Sequence, residues 1–312
     1  MVTANAVLND LTAFRSELQK QQIPYQHLLK LAWWRPLCDV AVDLLVVALA
    51  VAAVVYGSWW LAPLALVVIA NRQRALGNIL HDAAHRNLHR KRLVNDGITN
   101  ALIAPLVFAD LTAYRDTHFE HHLQLGHPSR DPDYLARLPG CQVSPLRNYA
   151  RLAFSLRQWR GSIAGHLENS KVPLSRRLYI VGWWIVFAGL IHAAVGPKCL
   201  AAFLMLWILA RATAFHLITM FREMCDHFGF TGTGVLSFTR DIVHGNAWYL
   251  LIHPRNNGYH LTHHLLPAVP YYNLPAAQKL FAEVPLYRQK GNVFKSYLLG
   301  PTPVASGWQT HG

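Results

Sequence analysis

Charged side chains are scarce. They make up 14% of the 312 residues, against about 25% in an ordinary soluble chain. The shortage falls on the acids: 16 Asp and Glu stand against 29 Lys and Arg, a formal net charge of +13. With 53% hydrophobic residues and a mean hydropathy of +0.17, the composition argues against a soluble enzyme and for a membrane protein. The basic residues are interleaved with apolar runs and form no compact basic domain, which argues against nucleic acid as a partner. Loops held against anionic lipid explain the excess better. Cysteine is sparse too. Cys38, Cys141, Cys199 and Cys225 are scattered without a C-x-x-C pair, so neither a disulfide framework nor a thiolate metal site is indicated. Residues 1–20 lack an apolar signal-peptide core and carry Asp10, Glu17 and Lys20.

What is present is long apolar runs. Leu44 to Asn71 contains no charge over 28 residues, more than the about 20 that one span needs. Gly57-Ser58-Trp59-Trp60 interrupts it, predicting two helices over 38–56 and 60–80 joined by a short outer loop. Two further spans are predicted over 178–195 and 199–221, with Gly196-Pro197-Lys198 as the turn. Residues 98–112 are apolar but too short to cross, and fit a re-entrant or interfacial segment. Leu8, Leu11, Phe14 and Leu18 recur at helical spacing, predicting an N-terminal amphipathic helix on the membrane surface. His27 to Trp34 also reads as interfacial, and Trp59, Trp60, Trp183 and Trp184 fall near span ends, where aromatic belts occur. The stretch 123–176, broken by Pro128, Pro132, Pro139 and Pro145, reads as loops and short helices.

The expected fold is all-α: four transmembrane helices in two hairpins, with a cytoplasmic cap. As one membrane domain it divides into 1–36 (amphipathic, interfacial), 37–80 (first hairpin), 81–176, 177–221 (second hairpin) and 222–312. Both termini fall on the cytoplasmic side. Of the 29 Lys and Arg, Lys198 falls in a proposed outer loop, Arg211 within a span, and Arg72 and Arg74 where the second helix runs out towards His81, a positive-inside bias.

Histidine carries the chemistry. His118, His121 and His122 sit at i, i+3 and i+4, one face of a helix. His260, His263 and His264 repeat the H-x-x-H-H pattern, and His81 and His85 form an i, i+4 pair. These boxes hold eight of the 18 histidines, and the predicted topology puts all three on one side of the bilayer. Neutral imidazole suits Fe, Zn, Cu or Ni, and eight donors are too many for one ion. Two metals is the economical reading. The alternative for any one box is a solvated histidine-rich helix.

With its HDAAH, HFEHH and HLTHH boxes, Asp131-Pro132-Asp133 after the second and Asn257-Gly-Tyr before the third, the chain resembles the membrane fatty acid desaturase and hydroxylase family over most of residues 70–275. The resemblance implies a non-haem di-iron centre at the cytoplasmic end of four transmembrane helices, with O₂ as co-substrate. It also implies a ninth ligand after the fourth span, for which His227 is the candidate. The implied reaction is desaturation of a fatty-acyl or related lipid chain; hydroxylation of a hydrophobic substrate is the alternative on the same scaffold. Removing hydrogen from an unactivated C–H bond needs a cofactor, and zinc, without redox chemistry, does not suit.

Asp82, Glu120 and Asp226 neighbour the proposed ligands and are candidates to orient them; Asp116, Asp131 and Asp133 are also near. Arg211 and His216, in the fourth span, are candidates to meet the substrate. Asn256 or Asn257 would hold a metal-bound water or form a turn. His89 could reach the site or remain a polar-face residue, and His127 is expected to cap a loop before Pro128. The sequence shows no His-Pro-Gly-Gly haem-binding segment, so a separate electron donor is expected, either a ferredoxin or cytochrome b5 with its reductase. More distant readings are a membrane zinc protease, which would want Glu in place of Asp82, and a metal transporter, which would want polar groups inside its spans.

Overall fold

The apolar run after Arg35 becomes helix α2 (Trp34–Ala52), which follows α1 (Val2–Lys20). The computed structural model describes residues 2–136, 144–243 and 247–308; Pro139 and Cys141 lie outside them. Pro36 is tolerated in the first turn of α2, where its missing N–H is not needed. The helix ends through a π turn at Ala53–Gly57 and the extended backbone of Ser58. α3 (Ala62–Ala84) then starts with proline in its first turn. The turn and both helices fall where the interrupted apolar run predicts them.

The remaining elements that matter here are α4 (Leu111–Gln124), α5 (Leu174–Ala210), α6 (His216–His227) and α7 (His260–Leu265). A two-residue parallel pair joins β1 (Asp241–Ile242) to β2 (Val293–Phe294). α5 is two helices in practice. Gly196 has φ 78° and ψ 174°, a backbone open to glycine but strained for L side chains, and Pro197 follows. Among the described residues, two helical stretches are long and apolar enough to cross a membrane, Trp34–Gly57 and Leu174–His227.

The chain forms two compact units. One comprises Met1–Leu31, Arg115–Leu152 and Met220–Gly312; the other comprises Ala32–Tyr114 and Ala153–Thr219. Each unit is assembled from segments that interleave along the chain.

In the second unit, α2 packs along α3 and both pack on α5. The outer faces stay apolar: Leu45, Leu49, Ile185 and Leu190 are all exposed, as lipid contact requires and water would penalise. An apolar cavity of about 280 Å³ is lined by Val47, Ala48, Val51, Phe187 and Phe203 among others. The short apolar stretch forms a π turn, Thr99–Ile103, and a 3₁₀ turn, Pro105–Val107, ending at Phe108 with φ 55°. Irregular backbone frees carbonyls that must be satisfied. The indole N–H of Trp183 donates to Ala101 O at 2.8 Å and that of Trp184 to Pro105 O at 3.0 Å. These tryptophans thus clasp broken backbone, a role that a span-end position does not suggest.

In the first unit the apolar stripe of α1 is covered by protein. Val7, Phe14 and Leu18 are buried, Phe14 meets the edge of Phe281 with ring centroids 4.8 Å apart, and Asp10 accepts the N–H of Leu236 at 3.0 Å. Leu8, expected in the apolar stripe, is exposed. Burying Phe14 alone stabilises this packing by about 1.5–3 kcal/mol.

Candidate metal centre

α4 turns His118, His121 and His122 to one face. Within the first unit, His118, His122 and His263 offer ring nitrogens that lie within 4.8 Å of one another; so do His121, His227, His260 and His264. The Nε2 atoms converge. They are 3.0 Å apart for His118 and His122, and 3.3 Å for His122 and His263. In the other group they are 2.8 Å apart for His227 and His260, and 3.1 Å for His260 and His264.

This donor set fits metal. His227 donates its Nδ1–H to Phe238 O at 2.9 Å, and His121 donates its own to Asp131 Oδ1 at 2.7 Å. In the neutral form of each ring, Nε2 therefore carries a lone pair. Imidazole nitrogens this close either share an N–H···N hydrogen bond or ligate one cation, and about 3 Å is the spacing of neighbouring nitrogens on an ion with bonds of about 2.0–2.1 Å. His260 and His264 are buried, as is everything that orients His121 and His227.

The electrostatics agree. Burial, then the charge of nearby His121, takes His263 down to about 3. His122, His260 and His264 are also held well below the ordinary histidine value, by burial first and neighbouring imidazoles second. They are neutral at physiological pH, the form a metal takes. His121 goes the other way: burial opposes its charge, but Asp131 outweighs burial. For the four depressed groups the unfolded chain binds more protons once pH drops below the ordinary 6.5. Their contribution to stability is therefore lost as pH falls through that value. The metal-free protein is expected to melt at a lower temperature at about pH 5 than at about pH 7.5, by differential scanning fluorimetry; equal melting would contradict buried neutral imidazoles.

The acidic neighbours divide. Glu120 is exposed, because helical rotation carries it to the side of α4 opposite the three histidines, whereas the sequence placed it behind a ligand. Asp131 takes that place, accepting also from Gly126 N at 2.9 Å. Burial alone would raise its carboxyl, but the His121 hydrogen bond and the Gly126 N–H hold it below the ordinary value. Asp226 accepts from Arg222 at 2.6 Å and from His253 Nε2 at 3.2 Å. It lies 3.9 Å from His260 Nδ1, too far for a hydrogen bond.

In the second unit, His81 and His85 close α3 with ring centroids 5.4 Å apart, and Asp82 between them accepts from Asn87 at 3.0 Å. His216 is engaged at both nitrogens: Nε2–H donates to Ala153 O at 2.8 Å, and Nδ1 accepts from Ser162 O–H at 2.7 Å. Arg211 opens a π turn, Arg211–Phe215. It donates to Ile163 O at 2.9 Å and Val107 O at 3.2 Å, leaving Nη1 without an acceptor among the described residues.

Asn257 accepts from Arg222 at 3.2 Å, and Asn256 donates to Tyr271 O at 3.1 Å from a turn with φ 59°. His89 accepts from Lys91 N at 3.0 Å, and His127 from Ser129 N at 3.3 Å, both within local turns. Three partners escaped the sequence reading: Phe238 O, His253, and Arg240. The fully buried Arg240 guanidinium donates to Met224 O, Cys225 O and Phe228 O at the end of α6. None carries a local signal.

A family model described as fatty acid desaturase matches residues 57–293, a range that includes all nine candidate ligand histidines. The Dihydrorhizobitoxine desaturase of Bradyrhizobium elkanii is 31% identical over 268 residues, covering 80% of this chain and 75% of that protein. A probable fatty acid desaturase of Sorghum bicolor is 26% identical over 277 residues, covering 79% and 70%. A chloroplastic omega-6 fatty acid desaturase of Spinacia oleracea is 22% identical over 268 residues, covering 76% and 57%.

Proposed function

This chain belongs to the fatty acid desaturase family, and we propose that it is a membrane-bound, O₂-dependent di-iron enzyme that introduces a double bond into a fatty-acyl or related lipid chain. The observation that carries this reading is the pair of imidazole clusters whose Nε2 atoms converge at 2.8–3.3 Å. His121, His227, His260 and His264 hold one iron, and His118, His122 and His263 contribute to the other. His81 and His85 join the ligand set on the strength of their i, i+4 spacing and the order of the boxes.

Bound iron supplies the oxidation of an unactivated C–H bond, which no side chain can perform. The residues of this chain bind and orient. Asp131 holds His121 in the tautomer that leaves Nε2 free, and Phe238 O does the same for His227. Burial keeps the remaining ligands unprotonated and excludes water. Arg211 Nη1 is free to meet a polar end of the substrate.

The chain lies in the bilayer as two hairpins, α2 with α3 and the two halves of α5, with both termini and the metal site on the cytoplasmic side. The break at Gly196 and the exposed apolar faces support this arrangement. The apolar cavity suits hydrocarbon. Electrons come from a separate ferredoxin or cytochrome b5 with its reductase.

The test is metal analysis of the purified protein, followed by mass spectrometry of lipids after reaction with O₂ and a reconstituted donor. Two irons per chain and a product lighter by about two mass units are expected for a cofactor-driven dehydrogenation. A gain of about sixteen units would make the enzyme a hydroxylase, and zinc alone would overturn the reading.

A further inference from the structure

α7 is six residues long, yet it carries His260, His263 and His264. A helix this short does not hold its own direction. No side chain at its N-terminal boundary, Tyr259, caps it, and its first N–H groups need acceptors. They find them on the segment around β1. Leu261 N donates to Arg240 O at 3.1 Å, and Thr262 N donates to Asp241 Oδ1 at 3.0 Å. The Thr262 hydroxyl donates to Asp241 Oδ2 at 2.5 Å, as does the Tyr287 hydroxyl, also at 2.5 Å. Asp241 is fully buried. Its backbone is held on both sides: it pairs with Val293 in β2 and bridges Tyr259, the residue before His260. Ile242 N donates to Gly258 O at 2.8 Å.

Three residues upstream, Phe238 O receives the Nδ1–H of His227. Phe238 to Asp241 therefore touches both elements that carry the His227–His260–His264 group. A buried carboxylate in a fixed strand, joined to the residue between His260 and His263, sets the rotation and depth of all three rings at once.

We propose that Asp241, acting through Thr262 and Tyr287, is the positioning residue of the third histidine box, fixing the imidazoles that grip metal without touching metal itself. The inference rests on the reading of the histidine clusters as metal-binding.

Asp241→Asn keeps the shape and turns one acceptor into a donor aimed at donors. Thr262→Val removes the hydroxyl at constant volume, and Thr262→Ser keeps it. The iron-loaded full-length protein is mixed with a ferrous chelator and iron release is followed by absorbance, with circular dichroism confirming the fold. Asp241→Asn and Thr262→Val are expected to release iron about 10–100-fold faster, the range typical of losing a group behind a ligand. Thr262→Ser should release at nearly the wild-type rate. In turnover, kcat should fall with KM for the lipid unchanged.

Wild-type release from folded Asp241→Asn and Thr262→Val overturns the proposal, as does Thr262→Ser leaking as fast as Thr262→Val. If Asp241→Asn does not fold, the two Thr262 variants decide. A wild-type protein that holds no metal would defeat the functional reading instead, and that outcome is seen before any variant is made.

Discussion

Replacing His264 with alanine is expected to abolish turnover and remove about one metal ion per chain, while leaving the protein folded. The ring is 1% exposed. Its Nε2 is 3.1 Å from that of His260, and it stacks on His122 with centroids 4.1 Å apart. No neighbouring donor is available to replace it, because His121 and His227 already belong to the same group. Losing a group behind a ligand costs about 10–100-fold in affinity or activity, so losing the ligand itself should cost at least about 10³-fold. The fold survives for two reasons. The void left by one buried side chain costs about 2–5 kcal/mol, and the other imidazoles keep their own hydrogen-bond partners at Asp131 and Phe238. Iron quantitation, product analysis and circular dichroism together check this. Two irons and undiminished turnover in the variant would remove His264 from the site.

The largest effect on stability is expected at Arg240. Its side chain is fully buried. It donates to Cys225 O at 3.2 Å and Phe228 O at 2.6 Å, and lies 4.1 Å over the Phe230 ring. Arg240→Met fills the same space and makes none of these contacts. Met224 O keeps the Trp308 indole N–H at 3.0 Å, but the acceptors at Cys225 and Phe228 lose a charged donor. Each buried acceptor left unmet costs about 1–3 kcal/mol, and the lost cation–π contact adds about 0.5–2 kcal/mol. A destabilisation of about 3 kcal/mol or more follows, large beside the about 5–15 kcal/mol that holds a typical protein together. Arg240→Lys, with charge but no planar fork, should fall between. Thermal melting in detergent measures all three proteins; an unshifted midpoint for Arg240→Met would show that α6 ends without this cap.

Arg240 also shows where reading a sequence stops. In a chain of net charge +13 one more arginine is unremarkable, and nothing nearby marks it as buried. Glu120 makes the same point in reverse. It is adjacent to His121 in sequence and on the far side of α4 in space, whereas Asp131, ten residues from His121, supplies the hydrogen bond. The N-terminal helix shows a related limit: an apolar stripe says that one face is covered, not what covers it.

The amino-acid order by itself determined everything that depends on neighbours a few positions apart. That includes the helical spacing of the three histidine boxes, the apolar runs, and the breaks at Gly57-Ser58 and Gly196-Pro197. Each follows from helical periodicity, side-chain solubility or the backbone range of one residue. Only the tertiary structure decided which imidazoles share a group, that His227 sits with His121, His260 and His264, and which buried oxygens hold them. Those pairings join residues from 10 to 141 positions apart, beyond the reach of helical spacing, and packing alone brings such residues together.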